Sequence, residues 1–392
     1  MSAFAQSSVE IYGTLDVSFA KLSGYEAGLN TTTNSYPTTT NSSTGIANTF
    51  ARQGTGTNNM GFRGKEDLGG GSYAAFNLQT GGLDQATGSA ALAFSRESTL
   101  SLGGTWGELK LGRSVSTMCS IGCSFDYNYI GAGSAYGLIG LSPASNRGSS
   151  RRTGQIEFIT PSIDGLSGRI SLQPRAANNA DNSFVTNSGT AYTATSTQAG
   201  TSSTAAQYKD VVTFGGTYAQ GPMRIALAVE QAHIQSSSVR NSMWLGAEYD
   251  FGFVKANLQQ FTNSNVGKGT DPAGAAIDAT GQTVFSTATG ATTYGKGTGI
   301  SLIAPVGKFN LGVQYAKNTE TTVKSMELFG RYSLSKRTEL YAYNTKLTGA
   351  TAVAADAAYA NLAAAGAAGF PLRKGALQAD PVITAIGIRT TF

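Results

Sequence analysis

Histidine occurs once in the 392 residues, at His233, cysteine twice, at Cys119 and Cys123, tryptophan twice and proline 9 times. Each scarcity excludes something. His233 lies at a strand end on the parity of Ile225, Leu227 and Val229, facing outward near a rim. It is the only imidazole base available to a hydrolase, and no nucleophile is placed beside it. No Gly-x-Ser-x-Gly elbow and no nucleotide-phosphate loop occurs, so no catalytic residue and no cofactor is assigned. A zinc site takes about four ligands, and two cysteines have no further Cys or His beside them. Asp271 and Asp278 are isolated and lack calcium-loop spacing, so no metal is assigned. Charge is sparse at 13%, and 28 basic against 23 acidic residues leave +5, too mild and dispersed for nucleic acid. No apolar run approaches the roughly 18 residues of a transmembrane helix.

What is abundant is glycine, at 50 residues, with alanine, serine and threonine. The stretch "SSVEIYGTLDVSFAKL" alternates: Val9, Ile11, Leu15, Val17 and Phe19 share one parity, and Glu10, Tyr12, Thr14, Asp16 and Ser18 the other. A period of two predicts a strand with one apolar and one polar face. The pattern returns at Ala74/Phe76/Leu78, Leu100/Leu102, Ile156/Phe158, Ile225/Leu227/Val229, Phe309/Leu311/Val313 and Ile386/Ile388.

The connections fall into two families. The short ones are "EDLGGG", "TWG", "PSIDGL", "AQGP", "DFG", "PVGK" and "SKR". The other family is mostly long and of low complexity: "YEAGLNTTTNSYPTTTNSSTG", the tracts near 176–206 and 264–295, and an Ala-rich tract near 350–370 read as loop. Together they delimit about sixteen strands. The polar faces are too polar for a core, and lipid leaves no open sheet edge satisfied. The expectation is an all-β, closed antiparallel transmembrane barrel, apolar outside and wet inside, with tight turns at one rim and long loops at the other. Ala3-Phe4-Ala5 followed by Gln6 has the small-x-small form of a signal-peptidase site. Residues 1–5 are therefore read as a signal-peptide remnant and 6–392 as a single barrel domain exposed to an oxidising compartment.

Four stretches carry a family resemblance: "GFRGKEDLGGGSYAAFNLQ" (61–79), "STLSLGGTWGELKLGRS" (98–114), "LSKRTELYAY" (334–343) and the terminal "ITAIGIRTTF". In strand order they resemble the Gram-negative general porins, especially the β-proteobacterial type. The resemblance implies a sixteen-stranded barrel, a homotrimer in the outer membrane among lipid and lipopolysaccharide, and a third loop folded into the lumen. It implies passive passage of small hydrophilic solutes and ions, and makes Phe392 the family's C-terminal aromatic assembly signal.

The resemblance places the constriction loop at 114–150 and sets basic wall residues against it. With Ile156 and Phe158 facing lipid, Glu157, Gln155, Thr153 and Arg151 face inward, with adjacent Arg152 as the second choice. Arg113 sits where the chain leaves the wall. Met60 and Phe62 outward put Asn59, Arg63 and Lys65 inward. Arg96 shares the parity of Leu100 and Leu102, which turns it outward, whereas a bulge near the rim turns it inward; Glu97 is then a lumen acid. Asp126 either faces the arginines or caps the loop backbone. Thr14, Asn59 and Thr99 stand where enteric members carry basic residues, and "PEFGG" is absent, so the basic wall is thinner and the expected anion preference weak. Tyr127, Tyr129 and Tyr136 either pack the loop or offer a stacking surface. Tyr12, Phe19, Tyr249, Phe251, Tyr332 and Tyr341 are candidates for the lipid-interface belt.

In this setting the spacing of Cys119 and Cys123 fits neither a redox Cys-x-x-Cys nor a metal site. A helical or tight turn brings their Cα atoms within disulfide range, and a disulfide is expected there. The competing functions are a substrate-specific channel, an adhesin using the long loops, and an enzyme housed in a barrel.

Overall fold

The computed structural model describes residues 8–26, 40–47, 58–81, 83, 93–128, 134–139, 141–143, 151–174, 184–185, 191–192, 208–234, 239–264, 276–277, 283–284, 296–319, 324–348 and 382–392. The Ala3-Phe4-Ala5 site, Tyr129, Asp271, Asp278 and the Ala-rich tract lie outside them, as does the side chain of His233.

Alternation of apolar and polar residues becomes one antiparallel sheet closed on itself. Its first half comprises β1 (Ser8–Glu26), β2 (Thr40–Ala47), β3 (Asn59–Gly69), β4 (Ser72–Gly81), β5 (Glu97–Gly104), β6 (Gly107–Val115), β7 (Arg151–Ile159) and β8 (Leu166–Pro174). The second half comprises β9 (Tyr208–Gln220), β10 (Met223–Ile234), β11 (Val239–Asp250), β12 (Lys255–Ser264), β13 (Gly297–Val306), β14 (Phe309–Asn318), β15 (Lys324–Ser333), β16 (Thr338–Thr348) and β17 (Val382–Thr391). Apart from β2 and β3, each pairs with the next, and β17 returns to β1, with Thr14 opposite Thr391 and Ser23 opposite Val382. The 17 strands make 16 staves, because β2 and β3 share one. β3 pairs with β1 from Ser8 to Thr14, and β2 with β1 from Ser18 to Glu26. Thr40–Gly45 belongs to a stretch expected to be loop. Its Ser and Thr residues instead pair with the β1 extension, as β-branched threonine readily does.

The apolar parity faces out. Val9, Ile11, Leu100, Leu102, Ile170, Leu258 and Ile386 are all exposed, Leu100 at 60%. Keeping each such side chain in water would forfeit about 1.5–3 kcal/mol, so the band requires a lipid surround. The seven short connections all lie at one rim, where a girdle of aromatics collects. Trp106 stacks on Phe158 at 6.1 Å, Tyr249 leans on Phe251 at 4.7 Å, and Phe309 on Tyr332 at 4.7 Å. Such girdles mark the interface of membrane barrels. Two of the proposed belt residues belong elsewhere. Tyr12 and Tyr341 point inward, where their hydroxyls donate to Asn77 at 2.5 Å and Asp16 at 2.6 Å.

Candidate functional site

Between β6 and β7 the chain leaves the wall and crosses the lumen. It opens with helix α1 (Thr117–Gly122), whose N-cap Ser116 accepts the Cys119 backbone N–H at 3.2 Å. Thr117, Met118 and Ile121 bury one side of α1, and Phe125 follows in a 3-10 turn. Several of the residues that β9 to β14 turn inward to meet them are small: Ala226, Ala228 and Ala316, with Gly215, Gly246 and Gly299 under Ile121, Phe125 and Tyr136. That leaves room for large side chains from the loop. Phe125 packs edge-on against Trp244 at 4.9 Å, and Tyr136 lies over Gly299, where an added Cβ would come within 2.1 Å of the ring. A hydrophobic core thus sits inside the barrel, between its third loop and one arc of wall.

Polar pairings fix the loop's register on that arc. Asn257 and Gln259 donate to the Phe125 carbonyl at 2.7 and 2.9 Å. The Asp126 carboxylate accepts from the Asn128 backbone N–H at 3.2 Å, from Gln314 at 2.9 Å and from the Ser134 hydroxyl. Glu327 accepts from the Ala135 N–H at 3.0 Å, from Gln314 at 2.9 Å and from the Asn128 side chain. Burial pushes the Asp126 carboxyl up from its ordinary 3.8 to about 6, against the lowering effect of its hydrogen bonds. The Tyr127 phenol, raised by burial and by Glu248, stays protonated and donates to Glu248 at 2.8 Å.

The opposite wall carries the arginines. Arg96 precedes β5 in a bend; its backbone N–H donates to the Gln79 carbonyl at 3.1 Å and its Nε to Gln79 Oε1 at 2.8 Å. Outside the regular strand, parity no longer governs it, and it lines the lumen. Glu97 faces inward and accepts from Asn77 at 2.6 Å. Arg113 donates to the Ser95 carbonyl and the Thr153 hydroxyl. The Arg151 guanidinium lies within electrostatic reach of Glu97, Arg113 and Tyr12. Arg63 faces in near the tight-turn rim, bound to Glu10 at 2.8 and 2.9 Å. The lumen beside the third loop is a cavity of about 980 Å³. Cys119, Ser120, Cys123 and Ser124 line it on the loop side, and Thr14, Asn59 and Arg96 on the wall.

Three expected pore-lining residues are corrected. Register shifts between Gly112 and Ser114, with Gly154 at φ +66° opposite, and this bulge turns Arg152 inward. There it is sealed at 3% exposure, 3.4 Å from Glu230. Glu157 faces inward as parity dictates, but α1 covers it completely. Lys110 at 2.6 Å, Arg169 at 3.3 Å and the Thr117 hydroxyl at 2.9 Å surround its carboxylate. Asp126, at 5% exposure, is a loop-to-wall anchor at the lumen's edge, not a charge set out toward a passing ion. Tyr136 packs the loop, its hydroxyl 2.7 Å from that of Ser301. Cys119 and Cys123, 4.8 Å apart at Cα, are joined by a disulfide. Phe392 lies at the seam, its backbone paired both ways with Gly13 at 3.1 Å.

Arg224, Lys255, Arg331 and Arg389 also line the cavity and were missed. A parity reading carried along every strand would have found all four: Arg224 alternates with outward Ile225 and Arg389 with outward Ile388, while Lys255 has the parity opposite Leu258 and Arg331 that opposite Met326 and Leu328.

The family model of Gram-negative porins matches residues 1–350. An outer membrane porin of Bordetella pertussis is 29% identical over 311 residues, covering 73% of this chain and 75% of that protein. Outer membrane porin protein 32 of Delftia acidovorans is 27% identical over 270 residues, covering 66% and 65%. Among solved structures, an anion-selective porin from Comamonas acidovorans superposes with a TM-score of 0.64 at 22% identity, over 99% of this chain and 100% of that one. With its closed sixteen-stave barrel, lipid-facing apolar band and lumen crossed by the third loop, the chain belongs to the Gram-negative porin family and forms a passive channel of the outer membrane.

Proposed function

We propose that this channel passes small hydrophilic solutes and ions with a weak preference for anions, set by Arg96, Arg113 and Arg151 facing the third loop. The observation that carries this is the charge of the lumen lining. Five basic residues, Arg96, Arg224, Lys255, Arg331 and Arg389, border the cavity against three acidic ones, Asp126, Glu248 and Asp250, and Arg331 and Asp126 are both buried. Arg224 and Arg389 are partly offset by Glu248 at 3.1 Å and Glu339 at 3.3 Å, which keeps the preference weak. Low-dielectric walls focus the remaining field on the passing ion. The working unit is a homotrimer embedded among lipid and lipopolysaccharide. This follows the family resemblance and the trimer form described for a structural neighbour, OmpT of Vibrio cholerae.

Reversal potential in a potassium chloride gradient across a planar bilayer tests the selectivity. The wild-type channel favours chloride, and Arg96→Ala with Arg151→Ala brings the ratio toward unity or below. An unchanged ratio in the double variant would remove both residues from the selective region. Three stepwise current increments per insertion support the trimer.

A further inference from the structure

The third loop meets water at few points. Within residues 117–128 Ser124 is exposed and Ser120 and Tyr127 are partly so, while the remaining residues are buried. The buried side is held by packing and by bonds from the wall: Phe125 against Trp244, and the Phe125 carbonyl to Asn257 and Gln259. The lumen side has a different fastening. Arg224 on β10 stands directly opposite Glu248 on β11, and its guanidinium reaches across to the loop.

Three features of that side chain engage at once. Nη1 donates to the Ser124 hydroxyl at 2.8 Å, and Nη2 to the Glu248 carboxylate at 3.1 Å. The planar group lies over the Phe125 ring, 4.0 Å from its centroid. Glu248 also accepts from the Tyr127 phenol at 2.8 Å, so one ion pair grips the residues on both sides of the Phe125–Asp126 anchor. A planar fork with fixed donor directions serves a hydroxyl, a carboxylate and an aromatic face together, which an ammonium on a flexible stem does not. The Arg224 side chain is 26% exposed and borders the cavity. An ion pair open to water on one side adds little to global stability. What it fixes is the position of the turn.

We propose that Arg224 is the positioning residue of the constriction: it clasps the lumen-facing turn Ser124–Tyr127 to the wall and so holds the open pore at one width. The wall blocks the other side of the turn, which leaves a released turn only the cavity to move into. Freed from Arg224, it swings into that space of about 980 Å³ and narrows the passage in brief steps. This role is separate from the residue's charge, which adds to the lumen field with or without the clasp. The inference rests on the channel reading, because an open width has meaning only for a conducting lumen.

The test uses the full-length channel in planar bilayers, with open-channel current noise as the readout. Wild type should give steady open levels. Arg224→Ala should raise the current variance several-fold and add brief partial closures. Arg224→Lys, which keeps the charge and loses the fork, should be noisy as well. Guanidinium chloride added to Arg224→Ala supplies the missing planar cation between Ser124, Phe125 and Glu248. It should quieten the current, whereas sodium chloride at the same concentration should not. A channel disturbed only in its general packing would not respond to guanidinium. Steady current in Arg224→Lys would overturn the proposal, as would noise in Arg224→Ala that guanidinium leaves unchanged. Should Arg224→Ala fail to assemble, the comparison of Arg224→Lys with wild type decides. Current through the wild-type channel reports conduction itself, so failure of the channel reading registers separately.

Discussion

At the scale of residues, neighbouring charges hold the pore's basic groups in place. Tyr12 donates to Asn77 at 2.5 Å, Asn77 donates to Glu97 at 2.6 Å, and Arg151 senses Glu97. Glu97 therefore partly cancels the field of the arginines around it. Glu97→Gln keeps the hydrogen bond from Asn77 through its remaining oxygen and removes the negative charge. The chloride-to-potassium permeability ratio should rise by a few-fold, with the reversal potential as the measurement. An unchanged ratio would place Glu97 outside the selective field. Glu157 shows the converse. It shares the inward parity of its strand, yet α1 and the three groups bound to it take it out of the water altogether.

At the scale of elements, the third loop is held by a dry core and a pair of buried carboxylates. Asp126 and Glu327 share Gln314 and Asn128 as donors, with Arg331 and the Tyr136 phenol also within electrostatic reach of Asp126. Docking raises the Asp126 carboxyl to about 6 from 3.8. The docked loop therefore prefers the protonated form. Its extra stability is fully present below about pH 4 and is lost as pH rises through about 6. Hydrogen exchange across residues 117–128 should be slower at pH 5 than at pH 7.5, after correction for the intrinsic rate. Asp126→Asn keeps the acceptor for Gln314 and removes the ionisation, so its exchange should lose that pH dependence. A pH dependence retained in the variant would assign it to another group.

At the scale of the whole molecule, closure and environment dominate. The barrel closes where β17 meets β1, and Phe392 ends that seam with two backbone hydrogen bonds to Gly13. Phe392→Ala keeps those bonds and loses the ring that lies against Gly13. The fraction of barrel assembled in outer membranes should fall, read as the heat-modifiable shift on a gel. An unchanged fraction would deny the ring an assembly role. Selectivity should also be a property of the medium. The screening length falls from about 10 Å at 0.1 M salt to about 3 Å at 1 M, so the anion preference should shrink over that range. A preference constant with salt would point to steric selection instead.

The strand alternation, the sorting of tight turns from long loops and the closed barrel were legible because a period of two and the demand for satisfied backbone groups are local rules. Within a regular strand, parity puts Glu97 on the face where Asn77 donates to it and Arg63 on the face where it binds Glu10. Those rules left Arg96 open between two faces, where a bend breaks the strand, and failed at the bulge that turned Arg152 inward. They were also silent on which inward faces stay wet. The run Ile225-Ala226-Leu227-Ala228-Val229 is apolar on both parities, a sign that its inner face is covered, yet nothing local says by what. By itself the sequence determined a lipid-embedded barrel and its rims. Only the tertiary structure decided which inward charges meet solute, because that depends on where the third loop lies, and its partners are up to 199 residues away along the chain.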